Sequence, residues 1–186
     1  MHLPNPGLLG AFYGISEITL AFARRSHSGE SRDRHSLRFL WLAIVIALFA
    51  SFFIVGQFPF ARLPHRHAFY LLGLTLFIAG VALRWYSIWK LGRFFTVDVS
   101  ISAGHRVIDT GPYRFVRHPS YTGALLAFVG FGLCLGNWLS IFVLLAPITL
   151  AFLWRIHVEE RALLDALGQN YRDYMRRTRR LIPFVY

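Results

Sequence analysis

The chain has 186 residues, 55% of them hydrophobic, with 20 Lys and Arg against 9 Asp and Glu for a formal charge of +11. That length holds one domain, and the apolar share exceeds that of soluble domains, which points to an all-α integral membrane protein. The basic residues lie between apolar runs, where anionic lipid headgroups rather than nucleic acid are the nearer partner, and the single Cys134 excludes a disulfide framework and a CxxC metal site.

The first apolar run covers residues 7–23. Its Leu20-Ala21-Phe22-Ala23 end imitates a signal-peptide cleavage site. However, MHLPNP ahead of the run carries no Lys or Arg, whereas Arg24 and Arg25 follow it, so the segment reads as a retained helix. Glu17 lies deep within this run and either pairs across helices or faces an aqueous edge; an intramembrane ionisable residue is a functional hypothesis by default. Runs over 38–56 and 68–89 come next. Arg84, near the end of the third run with Trp85, Trp89 and Lys90, reads as a snorkelling interfacial anchor. In the long connection 90–119, FTVDVSIS alternates like a short extended segment before Gly104 and the turn Asp109-Thr110-Gly111-Pro112.

Runs 120–136 and 138–154 are separated only by Gly136-Asn137-Trp138, which predicts a tight antiparallel hairpin with a kink at Pro147 in its second arm. Beyond residue 155, Leu163, Leu164, Leu167 and Tyr171 recur at helical spacing, with a break at Gly168 and a second turn through Tyr171 and Tyr174. Each of the runs approaches the roughly 20 residues that span a hydrocarbon core as helix, so about five transmembrane helices are predicted. Arg24, Arg25, Arg32, Arg34 and Arg38 flank the first connection, Lys90, Arg93, Arg106, Arg114 and Arg117 the third, and seven arginines the tail. Only Arg62 and Arg66 fall in the second, so the N-terminus is placed outside and the long loop and C-terminal helix in the cytosol. Residues 1–67 then hold two N-terminal spans and 68–186 the remaining core of a single domain.

Two polar constellations interrupt this apolar pattern. In GPYRFVRHPSYTG, Pro119 suits the first turn of a helix and drives His118 into an extended conformation. Arg117, His118 and Tyr121 are thereby held at a helix mouth whose backbone N–H groups favour an anion such as a carboxylate. Arg155, His157, Glu159 and Glu160 lie at the inner end of the other hairpin arm, with Arg155 and Glu159 on one helix face. Because the arms are antiparallel, the two clusters should converge. The plainer reading makes them headgroup anchors and a solvated ion pair worth a few tenths of a kcal/mol. No His spacing supports a metal site.

GHRVIDTGPYRFVRHPSYTG (104–123), followed after the hairpin by RIHVEERALLDALGQNYRDY (155–174), resembles the isoprenylcysteine carboxyl methyltransferase family, in a compact prokaryotic-type form, with matching order and spacing along residues 70–186. The resemblance implies carboxyl methylation with S-adenosylmethionine at a membrane surface. It also implies that His105, Arg106, Val107, Ile108 and Tyr113 wall the adenosine, and that His118, Pro119, Ser120 and Tyr121 form the cofactor-facing turn. Glu159 resembles the acidic cofactor ligand, with Glu160 beside it, while Arg117 and Arg155 resemble the arginines at the reacting end. Ile156, His157 and Val158 depart from a more acidic family stretch, and the first 60 residues match nothing specific in it.

A lipophilic acceptor is expected from the bilayer and the cofactor from the cytosol, in a cavity formed where the hairpin ends meet. Competing readings are a phospholipid N-methyltransferase, a thiol S-methyltransferase, a sterol-reductase-like enzyme using a reduced nicotinamide dinucleotide, and a non-catalytic scaffold or channel. Neither the acceptor's identity nor the oligomeric state is encoded in these motifs.

Overall fold

The structure, a computed structural model, describes residues 4–23, 34–95 and 106–183. Arg24, Arg25, Arg32, His105 and all but the first residue of FTVDVSIS lie outside the described residues. The helices are α1 (Pro6–Ala23), α2 (Arg34–Gln57), α3 (Arg66–Leu91), α4 (Pro119–Leu135), α5 (Trp138–Leu167) and α6 (Gln169–Arg177), and no strand occurs among the described residues. The first four match the apolar runs to within a few residues, whereas α5 continues past the run 138–154 through the amphipathic stretch to Leu167. His35–Gln57, Arg66–Leu91 and Trp138–Leu167 are each long and apolar enough to cross a bilayer, whereas Pro119–Leu135 is a shorter apolar helix. Phe49 and Phe53 on α2 and Phe142 and Leu150 on α5 are exposed, as suits surfaces that meet acyl chains.

Glycines set how closely α3 and α4 approach. A Cβ at Gly73 would lie 2.6 Å from the Gly130 carbonyl oxygen, and one at Gly123 would lie 2.6 Å from the Arg84 nitrogen. Gly80 and Gly130 are equally tight, against the Ala127 and Phe77 nitrogens. Two glycines seven residues apart on each helix thus bring the backbones into direct contact, the small-residue packing that membrane helices use where burial from water gives no drive.

The α4–α5 hairpin turns at Gly136, whose φ of 67° and ψ of 31° lie in the left-handed region. Asn137 caps α5 by accepting the Ser140 N–H at 3.0 Å, and its Nδ2 donates to the Phe58 carbonyl at 2.9 Å, which ties the turn to the α2–α3 connection. α5 runs unbroken through Pro147 and ends at Gly168, with φ of 53° and ψ of −124°.

α1 lies against this body by side chains. Tyr13 meets Phe77 and Phe128 edge-on, with centroids 6.1 and 5.4 Å away, and the Tyr70 hydroxyl donates to the Pro4 carbonyl at 2.7 Å. Arg84 is not a snorkelling anchor. It is 8% exposed and turned inward, where its Nε and Nη2 donate to the two Glu17 oxygens at 2.5 and 2.6 Å. Burial this deep leaves the guanidinium no route to the interface, so it takes the carboxylate that the sequence left without a partner.

Candidate functional site

The two motif-bearing hairpin ends meet. Tyr121, in the first turn of α4, donates its hydroxyl to Glu159 of α5 at 2.9 Å, and the His118 and Tyr121 rings stack 5.6 Å apart with planes at 20°. Tyr121 also packs on Phe152 and lies within electrostatic reach of Arg155. The Glu159 side chain is 30% exposed, so one face of its carboxylate opens to solvent.

Its neighbour is enclosed. Glu160, with a side chain only 3% exposed, accepts from Arg117 Nε at 2.7 Å and Arg180 Nε at 3.0 Å, with His118 Nε2 3.3 Å away. Burial would raise its carboxyl, but hydrogen bonds and charge from His118 and Arg117 outweigh this and hold it down at about 2. The residues facing one another across this cluster come from the turn before α4, from α5 and from the segment after α6.

That segment forms a strap across the motif turn. The Arg117 N–H donates to the Arg179 carbonyl at 2.7 Å and the His118 N–H to the Arg180 carbonyl at 3.1 Å. Arg117 Nη1 reaches the Thr178 carbonyl at 2.6 Å and the Met175 carbonyl at 3.2 Å, and Thr122 Oγ1 donates to the Leu181 carbonyl at 2.7 Å. Arg117 is therefore engaged with the strap and Glu160. Beneath them Tyr174 donates to the Tyr113 carbonyl at 2.7 Å, while the Tyr113 hydroxyl donates to the Ser87 carbonyl at 3.2 Å. Burial pushes both hydroxyls up, which keeps them protonated donors.

The helix mouth offers fewer free donors than its sequence implies. Pro119 has no N–H, and the Tyr121 and Thr122 N–H groups both go to the His118 carbonyl at 3.0 Å. Pro119 and Ser120 are buried, and the Ser120 carbonyl accepts Arg84 Nη1 at 3.2 Å. Arg155 is only 2% exposed, so it belongs to no solvated pair; its Nη1 donates to Ser36 Oγ of α2 at 2.8 Å. His157 and Arg106 are exposed, and Val107 and Ile108 are half-buried on the approach to Gly111.

Below this polar layer lies a cavity of about 250 Å³, walled by α1 to α5 with apolar residues such as Leu40, Ile44, Phe128 and Phe131. Its polar lining groups are Glu17, Arg84, Tyr121, Arg155 and the Tyr13 hydroxyl, so Tyr121 belongs both to the cavity and to the Glu159 contact. Periodicity gave no sign of Ser36, Arg180 or the strap carbonyls as members of the site. The glycine spacing 73/80 and 123/130 was a visible signal for the α3–α4 contact that carries Arg84 to Ser120.

The isoprenylcysteine carboxyl methyltransferase family model matches residues 71–165, more than half of the chain. Protein-S-isoprenylcysteine O-methyltransferase A of Arabidopsis thaliana is 33% identical over 179 residues, 94% of this chain and 89% of the relative. The chain belongs to this family. Protein-S-isoprenylcysteine O-methyltransferase B of the same plant is 35% identical over 115 residues, covering 61% of this chain and 58% of that protein. The Tribolium castaneum protein-S-isoprenylcysteine O-methyltransferase is 33% identical over 142 residues, or 75% of this chain and 50% of that protein. The chain therefore spans between half and three fifths of the length of these two relatives. A solved structure of the eukaryotic intramembrane Ras methyltransferase ICMT superposes with a TM-score of 0.68 at 28% identity, over 95% of this chain and 64% of that one. Family membership and the apolar helices make this an integral membrane protein with the methyltransferase family's fold.

Proposed function

We propose that the protein uses S-adenosylmethionine to O-methylate the carboxylate of a lipophilic, prenylcysteine-like acceptor. The observation that carries this reading is the apolar cavity whose polar lining, Arg84, Arg155 and Tyr121, adjoins the open carboxylate of Glu159. An acceptor with a hydrocarbon tail fits the walls, and its carboxylate fits the guanidinium groups.

The residues present suit the cofactor. Glu159, part exposed and bonded by a neutral tyrosine, matches an ammonium group, and the stacked His118–Tyr121 pair lies beside it. When bound, S-adenosylmethionine supplies a methyl group already activated on a sulfonium, so an ionised carboxylate needs no general base. The protein's own work is positioning and exclusion of water. Arg155, fixed through Ser36, and Arg84, fixed through the Ser120 carbonyl, orient the acceptor carboxylate. Arg117, expected at the reacting end, serves here as a positioning residue that clamps the strap, with Glu160 as its counter-charge. Tyr113 and the preceding Val107 and Ile108, with Arg106, extend the cofactor wall. An amine acceptor would meet two guanidinium groups, which disfavours phospholipid N-methylation.

In the bilayer we assign five spans with the N-terminus outside and the Glu159 face cytosolic, as the arginine distribution requires. The test is tritium transfer from labelled cofactor to N-acetyl-S-farnesylcysteine, with cofactor binding followed by calorimetry. Arg155→Ala should lower kcat/KM about 100-fold with cofactor affinity nearly retained. Glu159→Ala should weaken cofactor affinity about 10-fold or more in a folded protein. A wild-type protein that binds no cofactor and methylates no acceptor defeats the reading.

A further inference from the structure

Glu17 is used by none of the steps above, yet it occupies the most valuable position in the cavity. Its two oxygens take Arg84 Nε and Nη2 at 2.5 and 2.6 Å, fork to fork, while Arg84 Nη1 stays on the Ser120 carbonyl at 3.2 Å. This is the geometry in which an arginine receives any carboxylate. We propose that Glu17 is an internal stand-in for the acceptor's carboxylate: it holds the Arg84 fork between turnovers and yields it as the acceptor arrives. The inference rests on the function proposed above and adds to it a competitor built into the first helix.

Three observations carry it. Glu17 and Arg84 both line the cavity, as do Tyr121 and Arg155, so the pair stands where the acceptor's head is placed. In such apolar surroundings one guanidinium cannot satisfy two carboxylates without leaving charge unpaired, so an incoming carboxylate and Glu17 exclude one another from the fork. The support of Glu17 is also the more easily shifted part of the structure. α1 contacts the bundle through the Tyr13 edge contacts, the Gly10 approach to the Phe131 ring and the Tyr70–Pro4 hydrogen bond, rather than through backbone contact like that of α3 with α4. When Glu17 withdraws, Arg84 keeps its Ser120 tether and stays beside Tyr121, so the fork is presented without rebuilding the motif turn.

A permanent staple between α1 and α3 would use the same two residues, and ligand charge separates the two roles. A staple supports every ligand of the cavity alike. A stand-in penalises only ligands that need the fork, by the fraction of time it is occupied.

The experiment measures affinities of the purified full chain, in nanodiscs, for N-acetyl-S-farnesylcysteine and for its uncharged carboxamide, with and without Glu17→Gln. Glu17→Gln is expected to tighten the carboxylate about 10-fold and to leave the carboxamide within about two-fold, with the acceptor KM falling in step. If Glu17→Gln lowers the yield of folded protein, Glu17→Asp, which keeps the charge and shortens its reach, is expected to shift the carboxylate in the same direction by about three-fold. Equal shifts for both ligands, or a carboxylate affinity that is unchanged or weaker, would overturn the stand-in. In that case wild-type turnover and cofactor binding would leave the methyltransferase reading standing, whereas a wild type lacking both would remove that reading itself.

Discussion

The body formed by α3 to α6 and the first helix hold their positions by different means. In the body, α3 and α4 touch backbone to backbone at four glycines, and the α4 turn is laced to the strap through main-chain hydrogen bonds and the Glu160 cluster. α1 and Pro4 just before it are held through side chains, among them the Tyr13 ring contacts, the Tyr70–Pro4 hydrogen bond and the Glu17–Arg84 ion pair. The difference teaches that the motif residues sit on a frame with little freedom to repack, while the α1 wall of the cavity is held through side chains.

Glu160→Gln offers the hardest blow to the comparison. It leaves Arg117 buried against a neutral partner, which costs about 3–5 kcal/mol for a broken buried pair and should appear as a loss of both thermal stability and cofactor binding. The same group gives a pH signature. Its carboxyl is depressed in the folded state to about 2, so its contribution is fully present above the ordinary carboxylate range and is lost as pH falls through about 2. Melting followed from pH 6 to pH 2 should therefore show a fall at the acid end that Glu160→Gln lacks.

Gly80→Ala should come second. The added Cβ runs into the Ala127 nitrogen, which is backbone and cannot swing away, so the helices must part at a cost of about 2–3 kcal/mol, or roughly 5–10 °C in melting temperature. Tyr70→Phe should have the smallest effect. It removes the hydroxyl bond to Pro4 for about 0.5–1.5 kcal/mol and should leave cofactor affinity unchanged. A Tyr70→Phe loss as large as that of Gly80→Ala would show that α1 belongs to the frame.

Much of the fold was legible because it is written locally. Apolar run lengths marked α1 to α5, Gly136-Asn137 marked the hairpin, and Gly168 marked the break before α6. The approach of Tyr121 to Glu159 followed from the antiparallel order of the hairpin arms. Arg84 was misread, because a cation near a helix end looks the same whether it turns toward headgroups or inward to a glutamate 67 positions earlier in the chain. The partners of Arg117 were hidden in a similar way. Besides Glu160 they are main-chain carbonyls, and every residue type carries one. Glu159 and Glu160 are adjacent in sequence, yet one opens to solvent and the other faces Arg117, Arg180 and His118. Only the rotation of α5 against α4 decides which is which.

The strap has a consequence for biosynthesis. Carbonyl groups of residues 178 to 180 hold Arg117 and His118, so the motif turn lacks its partners until the ribosome has decoded that stretch and the exit tunnel has released it. A nascent chain in which α1 to α5 are already inserted is therefore still without a finished motif turn.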